Sequence, residues 1–269
     1  MTTRVDAPDD ERLADYRSVS DPNLALSRGI FVAEGRLVVC RLLADPRFVT
    51  RSVMVTEAAR AALAGVLAAR PDVAVYVVPL AVMIGVTGFN IHRGCLAIAE
   101  RPQAVPWTDV IAAARTVVVL ERVANADNVG GIFRNAVAFG ANAVLLDPDS
   151  TDPFYRKAIR TSMGAALMVP WARAEPWPQA LRILAERGFM TVALTPVSTA
   201  APLAAVTADV IARAHQVALV LGHEGEGLTA AALDLCTHRA RIPIAPAVDS
   251  LNVSAAAAIA LYELRRRIV

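Results

Sequence analysis

Short apolar segments alternate with helical patterns along the chain, and this alternation constrains the fold more than any other feature. In the second half, five apolar segments have the pattern of buried strands. They lie at 116–121, 142–146, 189–194, 216–221 and 238–243. Helices are predicted between them, for example at 130–139, 176–187 and 252–267. Strands that alternate with helices predict parallel sheets that are covered on both faces.

A similar alternation in the first half predicts a second α/β unit. Its elements are helix 35–45, strand 51–56, helix 57–69, strand 73–78, helix 79–86 and strand 94–100. Between the halves, Pro102 and Pro106 interrupt two apolar blocks. Because proline restricts its own backbone and that of the preceding residue, we expect an extended connection there. The chain is therefore predicted to form two α/β domains, at 1–103 and 108–269.

Composition argues against several classes of protein. Apolar runs fall short of the roughly 18 residues that a membrane-spanning helix needs, and the polar, acidic segment Met1–Asp15 does not resemble a signal peptide. We therefore expect a soluble cytoplasmic protein without a membrane partner. Cys40, Cys95 and Cys236 are too few and too far apart to predict disulfides or a metal site. The formal net charge of +2 does not by itself indicate nucleic-acid binding.

The first motif follows the first strand of the second half. Within Glu121–Ala136, it contains Asn128, the pair Gly130-Gly131 and Arg134. Glycines at a strand-to-helix turn let a ligand approach the backbone, and free amides at the start of a helix favour anions. The spacing is not the G-x-G-x-x-G fingerprint of dinucleotide-binding folds. A tight turn without a ligand therefore stays open as an alternative.

The second motif, Gly222–Gly227, directly follows the strand at 216–221. Three glycines in six residues disfavour regular structure, since each costs roughly 0.5–1 kcal/mol there. They indicate a loop whose backbone touches a ligand at the carboxyl end of a strand. The pair His223-Glu224 begins the zinc-protease motif H-E-x-x-H, but Gly227 occupies the position of the second histidine. No metal site is predicted.

The third motif runs from Arg241 to Ser254. A strand end meets a proline-kinked loop, and either Ser250 or Asn252 is expected to cap a long alanine-rich helix. Taken alone, this motif is also explained by a well-capped helix without a ligand. A further group of acidic residues, Asp147, Asp149 and Asp152, resembles the start of a calcium-binding loop. It lacks the glycine and the distal glutamate that such a loop requires. We expect that loop to be solvated.

Together and in this order, the three motifs resemble the SpoU (TrmH-like) branch of the SPOUT RNA methyltransferases. The family pattern has an N-x-G-x-x-x-R loop, a G-x-E-G-x-G loop and an I-P segment followed by S-L-N-V-S-x-A. Here these are Asn128–Arg134, Gly222–Gly227, and Ile242-Pro243 with Ser250–Ala256. A fourth feature of the family, a serine and a glycine before a short strand, is matched by Ser162–Ala165. The resemblance covers 108–269.

The resemblance implies an α/β methyltransferase domain with a trefoil knot at its carboxyl end. It also implies a homodimer in which each active site takes residues from both subunits. The activity it implies is transfer of a methyl group from S-adenosylmethionine to a ribose 2'-hydroxyl in RNA, and we expect ribosomal RNA in preference to transfer RNA. Phe31–Gly35 and Thr87–Gly94 are similar to the family's small RNA-binding domain, which places substrate binding in 1–103.

By the same resemblance, backbone groups near Gly222, Ile242 and Leu251 hold S-adenosylmethionine. The family assigns activation of the hydroxyl to the arginine of the first motif, Arg134. Because arginine holds its proton very strongly and is a poor base, we expect Arg134 to bind the adjacent phosphate and to stabilise developing negative charge on the oxygen. The side chains expected to orient arginine, ribose and cofactor are Asn128, Glu224, Ser250 and Asn252. His223 departs from the family, where serine or alanine is more common, and we expect a small effect at the cofactor rim.

Two other functions are compatible with parts of the pattern. One is a catalytically inactive knotted RNA-binding protein, against which the intact Arg134, Glu224 and Asn252 argue. The other is a dinucleotide-dependent oxidoreductase, which only the turn at Gly130-Gly131 suggests. For the dimer, the carboxyl-terminal helix is predicted to be apolar on more than one side, with one stripe formed by Val253, Ala257, Leu261, Leu264 and Ile268.

Overall fold

The computed structural model describes residues 2–17, 19, 26–89, 91, 94–213 and 216–268. It divides into two compact units, the first made of Met1–Gln103 and Pro153–Leu167 and the second of Ala104–Asp152 and Met168–Val269. One division falls at the predicted boundary near residue 103. The continuous domain predicted at 108–269 is corrected, because Pro153–Leu167 belongs to the first unit.

Two contacts hold this inserted segment in the first unit. The ring of Phe154 stacks on that of Phe31, with 4.7 Å between their centroids. Arg156 forms an ion pair with Glu34, whose side chain is only 2 % exposed. Neither contact is visible in the sequence, since the partners are about 120 residues apart and no local pattern links them.

The first unit contains a mixed five-stranded sheet in the order β1-β4-β3-β5-β2. Its strands are β1 (Thr2–Arg4), β2 (Ile30–Glu34), β3 (Thr50–Val55), β4 (Ala74–Val77) and β5 (Cys95–Glu100). Strands β1, β4 and β3 are parallel, but β5 runs antiparallel to both β3 and β2. The expected all-parallel sheet is therefore wrong for this unit, because the apolar pattern of a strand reports its burial and not its direction.

The second unit contains a seven-stranded sheet in the order β10-β12-β9-β11-β6-β7-β8, in which all neighbours are parallel. Its strands are β6 (Thr116–Leu120), β7 (Ala143–Leu146), β8 (Trp171–Arg173), β9 (Met190–Leu194), β10 (Ala201–Pro202), β11 (Val217–Leu221) and β12 (His238–Arg241). The predicted α/β class with a parallel sheet is confirmed for this unit. The edge strand β10 was not predicted, since two residues are too short to show an apolar pattern, and β8 was expected only from the family resemblance, which has a short strand after Ser162–Ala165.

Helices surround both sheets. They are α1 (Arg36–Ala44), α2 (Glu57–Ala62), α3 (Ala64–Ala68), α4 (Leu80–Thr87), α5 (Trp107–Val110), α6 (Ala126–Phe139), α7 (Arg156–Thr161), α8 (Gln179–Glu186), α9 (Leu203–Arg213), α10 (Ala230–Leu235) and α11 (Val253–Ile268), with 3-10 turns at Glu11–Tyr16 and Ala165–Leu167. Within the described residues, no helix is long and apolar enough to span a bilayer.

Helix α6 begins four residues earlier than predicted. The side chain of Asn125 caps it by accepting a hydrogen bond from the backbone N–H of Asp127 at 2.8 Å. The pair Gly130-Gly131 therefore lies inside the helix and not at a strand-to-helix turn. A side chain at Gly131 would collide with the hydroxyl of Ser254 at the start of α11. This glycine is thus explained by close packing of two helices, which removes the observation that suggested a dinucleotide site.

Helix α11 packs against α6 and α9. Its buried stripe consists of Ala257, Ala260, Leu261 and Leu264. On the same helix, Ile259 is 42 % and Tyr262 is 55 % exposed. The stripe predicted along α11 is thus buried within its own unit at three of its five positions, Val253 is half-buried, and the side chain of Ile268 lies outside the described residues.

The acidic loop after β7 is not solvated throughout, which corrects the expectation from the sequence. Asp147 is only 1 % exposed, and its carboxylate accepts hydrogen bonds from the backbone N–H and the hydroxyl of Ser150 at 2.8 and 2.7 Å. It therefore shapes the turn after β7. The described residues contain no group of acidic, histidine and cysteine side chains arranged to hold a metal ion.

We predict that Gly131→Ala destabilises the protein by about 1–3 kcal/mol, because the added methyl group overpacks the contact between α6 and α11. The matched control is Gly65→Ala in α3, where nothing lies within 4 Å of an added Cβ. That change should stabilise by about 0.4–1 kcal/mol. Thermal and urea unfolding of both variants measure the difference. Equal effects of the two substitutions would contradict the packing role of Gly131.

Candidate functional site

A cleft opens at the carboxyl ends of three adjacent strands of the second unit, β12, β9 and β11. It measures about 700 Å³ when the part open to solvent is included. Its walls come from the loops that follow these strands and from the segment that leads into α11. The residues that line it are Leu194, Thr195, Pro196, Leu221, Gly222, His223, Glu224, Gly225, Gly227, Ile242, Ile244, Ser250, Leu251, Val253 and Ala256. Parallel sheets bind ligands at this end, and the size suits a small molecule.

The structure brings most of the predicted site residues to this cleft. Gly222, Ile242 and Leu251, expected to hold the cofactor, all line it, as do Glu224 and Ser250. Three further residues that line the cleft were not predicted from the sequence: Leu194, Thr195 and Pro196. The sequence feature that could have identified them is their position at the end of a predicted strand, where α/β proteins place ligand sites.

The second motif forms a closed loop after β11. His223 and Gly227 exchange two backbone hydrogen bonds, of 3.2 and 3.0 Å. A side chain at Gly222 would collide with the backbone of Gly227 and Leu228. Gly222 is therefore required for the loop to close on itself. Gly227 has a φ of 70°, a conformation that also favours glycine.

A directed chain of side-chain hydrogen bonds links the three motifs. The Oδ1 atom of Asn252 caps α11 by accepting from the backbone N–H groups of Ser254 and Ala255, at 2.9 and 3.2 Å. Its Nδ2 therefore faces away from the helix and donates to Oδ1 of Asn128 at 2.8 Å. The Nδ2 of Asn128 in turn donates to Oε1 of Glu224 at 2.9 Å. Of the two expected caps, Asn252 takes the role and Ser250 does not.

This chain of hydrogen bonds ends at the carboxylate of Glu224. Oε1 of Glu224 also accepts from the backbone N–H of Asn125 at 3.1 Å. Partial burial raises the pKa of Glu224, but the hydrogen bonds from Asn128 and from nearby backbone N–H groups outweigh it, so the pKa lies below its ordinary value. Glu224 is thus an anion at neutral pH and a weak base. The cap of α11 and the carboxylate at the cleft are held by one network.

Glu121, at the end of β6, has a structural role. Its carboxylate accepts from Nε1 of Trp177 and from the backbone N–H and hydroxyl of Thr229, all at 2.8 Å. These bonds tie β6 to the residue that caps α10. Glu121 is buried and does not line the cleft.

Arg134 lies on the exposed face of α6, one turn after Gly130. It does not line the cleft. Within the part of the chain that the structure describes, its guanidinium has no hydrogen bond or ion pair. All five of its donors are therefore free to bind an anion.

Comparisons with known proteins relate both units to RNA methyltransferases. The sequence model of the SpoU rRNA methylase family matches residues 115–262. A Mycobacterium bovis protein named as an uncharacterised tRNA/rRNA methyltransferase is 44% identical over 264 residues, which cover 96% of this chain and 90% of the relative. An AdoMet-bound rRNA methyltransferase from Sinorhizobium meliloti superimposes with a TM-score of 0.82 at 25% identity, covering 100% of this chain and 99% of that protein. A structure described as an RNA 2'-O ribose methyltransferase has a TM-score of 0.78 at 25% identity and covers 99% of this chain and 100% of its own.

Proposed function

This chain belongs to the SpoU rRNA methylase family, and from that premise we propose that it methylates the 2'-hydroxyl of a ribose in RNA. The resemblance predicted from the three motifs is confirmed, and so is S-adenosylmethionine as the cofactor. Members of the family are methyltransferases that act on transfer or ribosomal RNA, and nothing favours the catalytically inactive alternative. The observation that carries the proposal is the cleft at the ends of β9, β11 and β12, with the carboxylate of Glu224 fixed at its edge.

The residues of the cleft fit S-adenosylmethionine. Its walls are mainly apolar, as an adenine ring requires, with Leu194, Ile242, Ile244 and Leu251 contributing side chains. Among the lining residues there is no lysine or arginine, and Glu224 carries the negative charge. A cleft with this charge favours a positively charged ligand. When bound, S-adenosylmethionine supplies an electrophilic methyl group on a positively charged sulfur.

The chain's own side chains would orient the ribose and stabilise charge. We assign to Arg134 the binding of the phosphate next to the target and the stabilisation of developing oxyanion character, since its donors are free and a guanidinium has donors but no acceptor. Hydrogen bonds fix the orientation of the side chains of Asn128, Asn252 and Glu224 relative to one another. Ser250 forms part of the wall of the cleft. Positioning of this kind is worth roughly 7–11 kcal/mol of the activation barrier.

We propose that the first unit binds RNA, with ribosomal RNA preferred. The support is a group of basic side chains around α7. Arg156 anchors this helix and is itself largely buried, since it pairs with the buried Glu34 and lies over the ring of Phe89, 4.3 Å from its centroid. Arg160 is 3.8 Å from the same carboxylate and is 46 % exposed. Lys157 lies between these two arginines in the sequence. The planar guanidinium groups of arginines suit the phosphates of RNA. Of the second segment that resembles an RNA-binding domain, Asn90, His92 and Arg93 lie outside the described residues.

We further propose a trefoil knot at the carboxyl end of the second unit, as the family resemblance implies. In the sheet, β11 lies between β6 and β9. The chain then continues through β12 at the far side of β9 and returns as α11 to pack against α6, which follows β6. This order supports a terminal segment that passes through an earlier loop, an arrangement that is otherwise essentially absent from proteins.

A homodimer is proposed on the exposed face of α11. Ala255, Ile259 and Tyr262 lie at successive turns and are exposed. The ring of Phe139 from α6 contacts that of Tyr262, with 6.1 Å between centroids, so the apolar surface extends over two helices. Apolar faces of this kind are typical of contacts between subunits.

Leu251→Arg should weaken S-adenosylmethionine binding at least about tenfold, because it places a bulky cation in the apolar wall of the proposed site. Val248→Arg is the matched control, since Val248 is exposed in the same segment and does not line the cleft. Calorimetric titration with the cofactor gives both affinities. Equal affinities would place the cofactor elsewhere.

Arg134→Ala should slow methyl transfer roughly 100- to 1,000-fold, as expected when a preorganised electrostatic contact is lost. Cofactor affinity should stay near that of the wild type. The control is Arg182→Ala, an exposed arginine of α8 that pairs with Glu186. Transfer of a radiolabelled methyl group to ribosomal RNA, followed by mapping of positions that resist alkaline cleavage, reports both rate and 2'-O chemistry. Wild-type turnover on saturating RNA would refute this role, and methylation of a base would refute the 2'-O assignment.

Tyr262→Arg should convert the dimer into a monomer, because a charge at the centre of an apolar interface is left unpaired. Leu80→Arg, at a similarly exposed position in the first unit, should leave the dimer intact. Sedimentation velocity at micromolar concentration distinguishes the two states. A monomeric wild-type protein under these conditions would overturn the dimer, and with it an active site shared between subunits.

A further inference from the structure

The imidazole ring of His223 contacts the tip of the closed loop after β11. Its Nδ1 atom accepts hydrogen bonds from the backbone N–H groups of Gly225 and Glu226, at 3.0 and 3.1 Å. The ring also packs against Gly225, where an added Cβ would lie 3.7 Å from its Cε1 and Nδ1 atoms. His223 and Gly225 both line the cleft. The histidine therefore holds the tip of a loop that forms one wall of the cleft.

Only the neutral form of the ring can make these two bonds. An imidazolium ion carries a hydrogen on both nitrogens and has no acceptor. Protonation of His223 would thus remove both bonds and direct an N–H toward two other N–H groups. Histidine is the side chain that ordinarily changes charge between pH 5 and 8.

We propose that His223 is a positioning residue of the cofactor site, whose neutral form holds the turn at Gly225-Glu226 in its binding conformation. Protonation releases this turn, so the affinity for S-adenosylmethionine falls as the pH drops through the range in which histidine gains its proton. This inference rests on the proposed assignment of the cleft to the cofactor.

The charged groups around His223 do not account for a change in this pH range. Within the loop, the carboxylate of Glu224 is tied to Asn128 and has a lowered pKa, so it stays ionised well below pH 5.5. Glu226 pairs with Arg122 at 2.9 Å, from the loop after β6. Glu226 and Arg122 are both unchanged in the variant that tests the proposal, so any contribution from their ion pair is common to the two proteins. The lining residues from the loops after β9 and β12, and from the start of α11, are not titratable.

Asparagine offers a test because its side-chain oxygen accepts hydrogen bonds from the backbone two residues on and does not titrate. In His223→Asn the loop should keep its turn at every pH. Since each of the two hydrogen bonds typically changes an equilibrium constant about fivefold, or about 25-fold together, we expect wild-type affinity to fall about ten- to 25-fold between pH 7.5 and 5.5. The affinity of His223→Asn should match the wild type within about threefold at pH 7.5 and stay level below it.

The experiment is calorimetric titration of both full-length proteins with S-adenosylmethionine at steps from pH 7.5 to 5.5. Any contribution from His238, which lies 3.4 Å from Asp209, or from the cofactor itself is common to both proteins. A parallel decline in both, or no decline in the wild type, would overturn the proposal.

A second measurement does not depend on the cofactor or on the variant. In the wild-type protein alone, the amide resonances of Gly225 and Glu226 should shift together with the ring of His223 as the pH is lowered. Amide resonances that stay constant while the ring titrates would overturn the positioning role. If these resonances shift but Leu251→Arg binds the cofactor normally, the histidine still holds the loop and the assignment of the cleft has failed.

Discussion

The close approach of α11 to α6 is the contact on which the second unit's site depends. Gly131 permits it, because any side chain there would occupy the space of Ser254. The approach is further held by Nδ2 of Asn135, which donates to the backbone carbonyl of Ser254 at 2.8 Å. It places the cap of α11, Asn252, within hydrogen-bond distance of Asn128. Because Oδ1 of Asn252 already accepts from the N–H groups at the start of α11, only its Nδ2 can face Asn128. This fixes the donor and the acceptor in the bonds from Asn252 to Asn128 and from Asn128 to Glu224.

The closed loop after β11 shows that the glycines of a motif can be required by the geometry of the loop itself, independently of any ligand. Gly222 admits the backbone of Gly227 and Leu228, and Gly227 adopts a left-handed conformation. The ring of His223 packs beside Gly225 and satisfies two backbone N–H groups. The loop is therefore shaped by its own contacts. A preformed loop of this kind loses less conformational entropy when a ligand binds.

In the first unit, a buried charge organises the inserted segment. Burying the carboxylate of Glu34 would be costly without a partner, so the guanidinium of Arg156 is needed beside it. The stack of Phe31 on Phe154 and the bond from Arg41 to the carbonyl of Met163, at 2.7 Å, hold the same segment along its length. Residues that look from their position in the chain like part of the methyltransferase domain thus belong structurally to the other unit.

Much of this protein was determined by the sequence alone. The apolar runs Thr116–Leu120 and Val217–Leu221 are buried on both faces of a parallel sheet, so their continuous pattern predicts them. The three motifs predict the family and its cofactor because local residue order carries them. Only the tertiary structure decided which glycines meet backbone, which of Ser250 and Asn252 caps α11, and that Pro153–Leu167 joins the first unit. These depend on contacts between residues distant in the chain, such as Gly131 with Ser254 and Glu34 with Arg156, and the local sequence does not specify which partners meet.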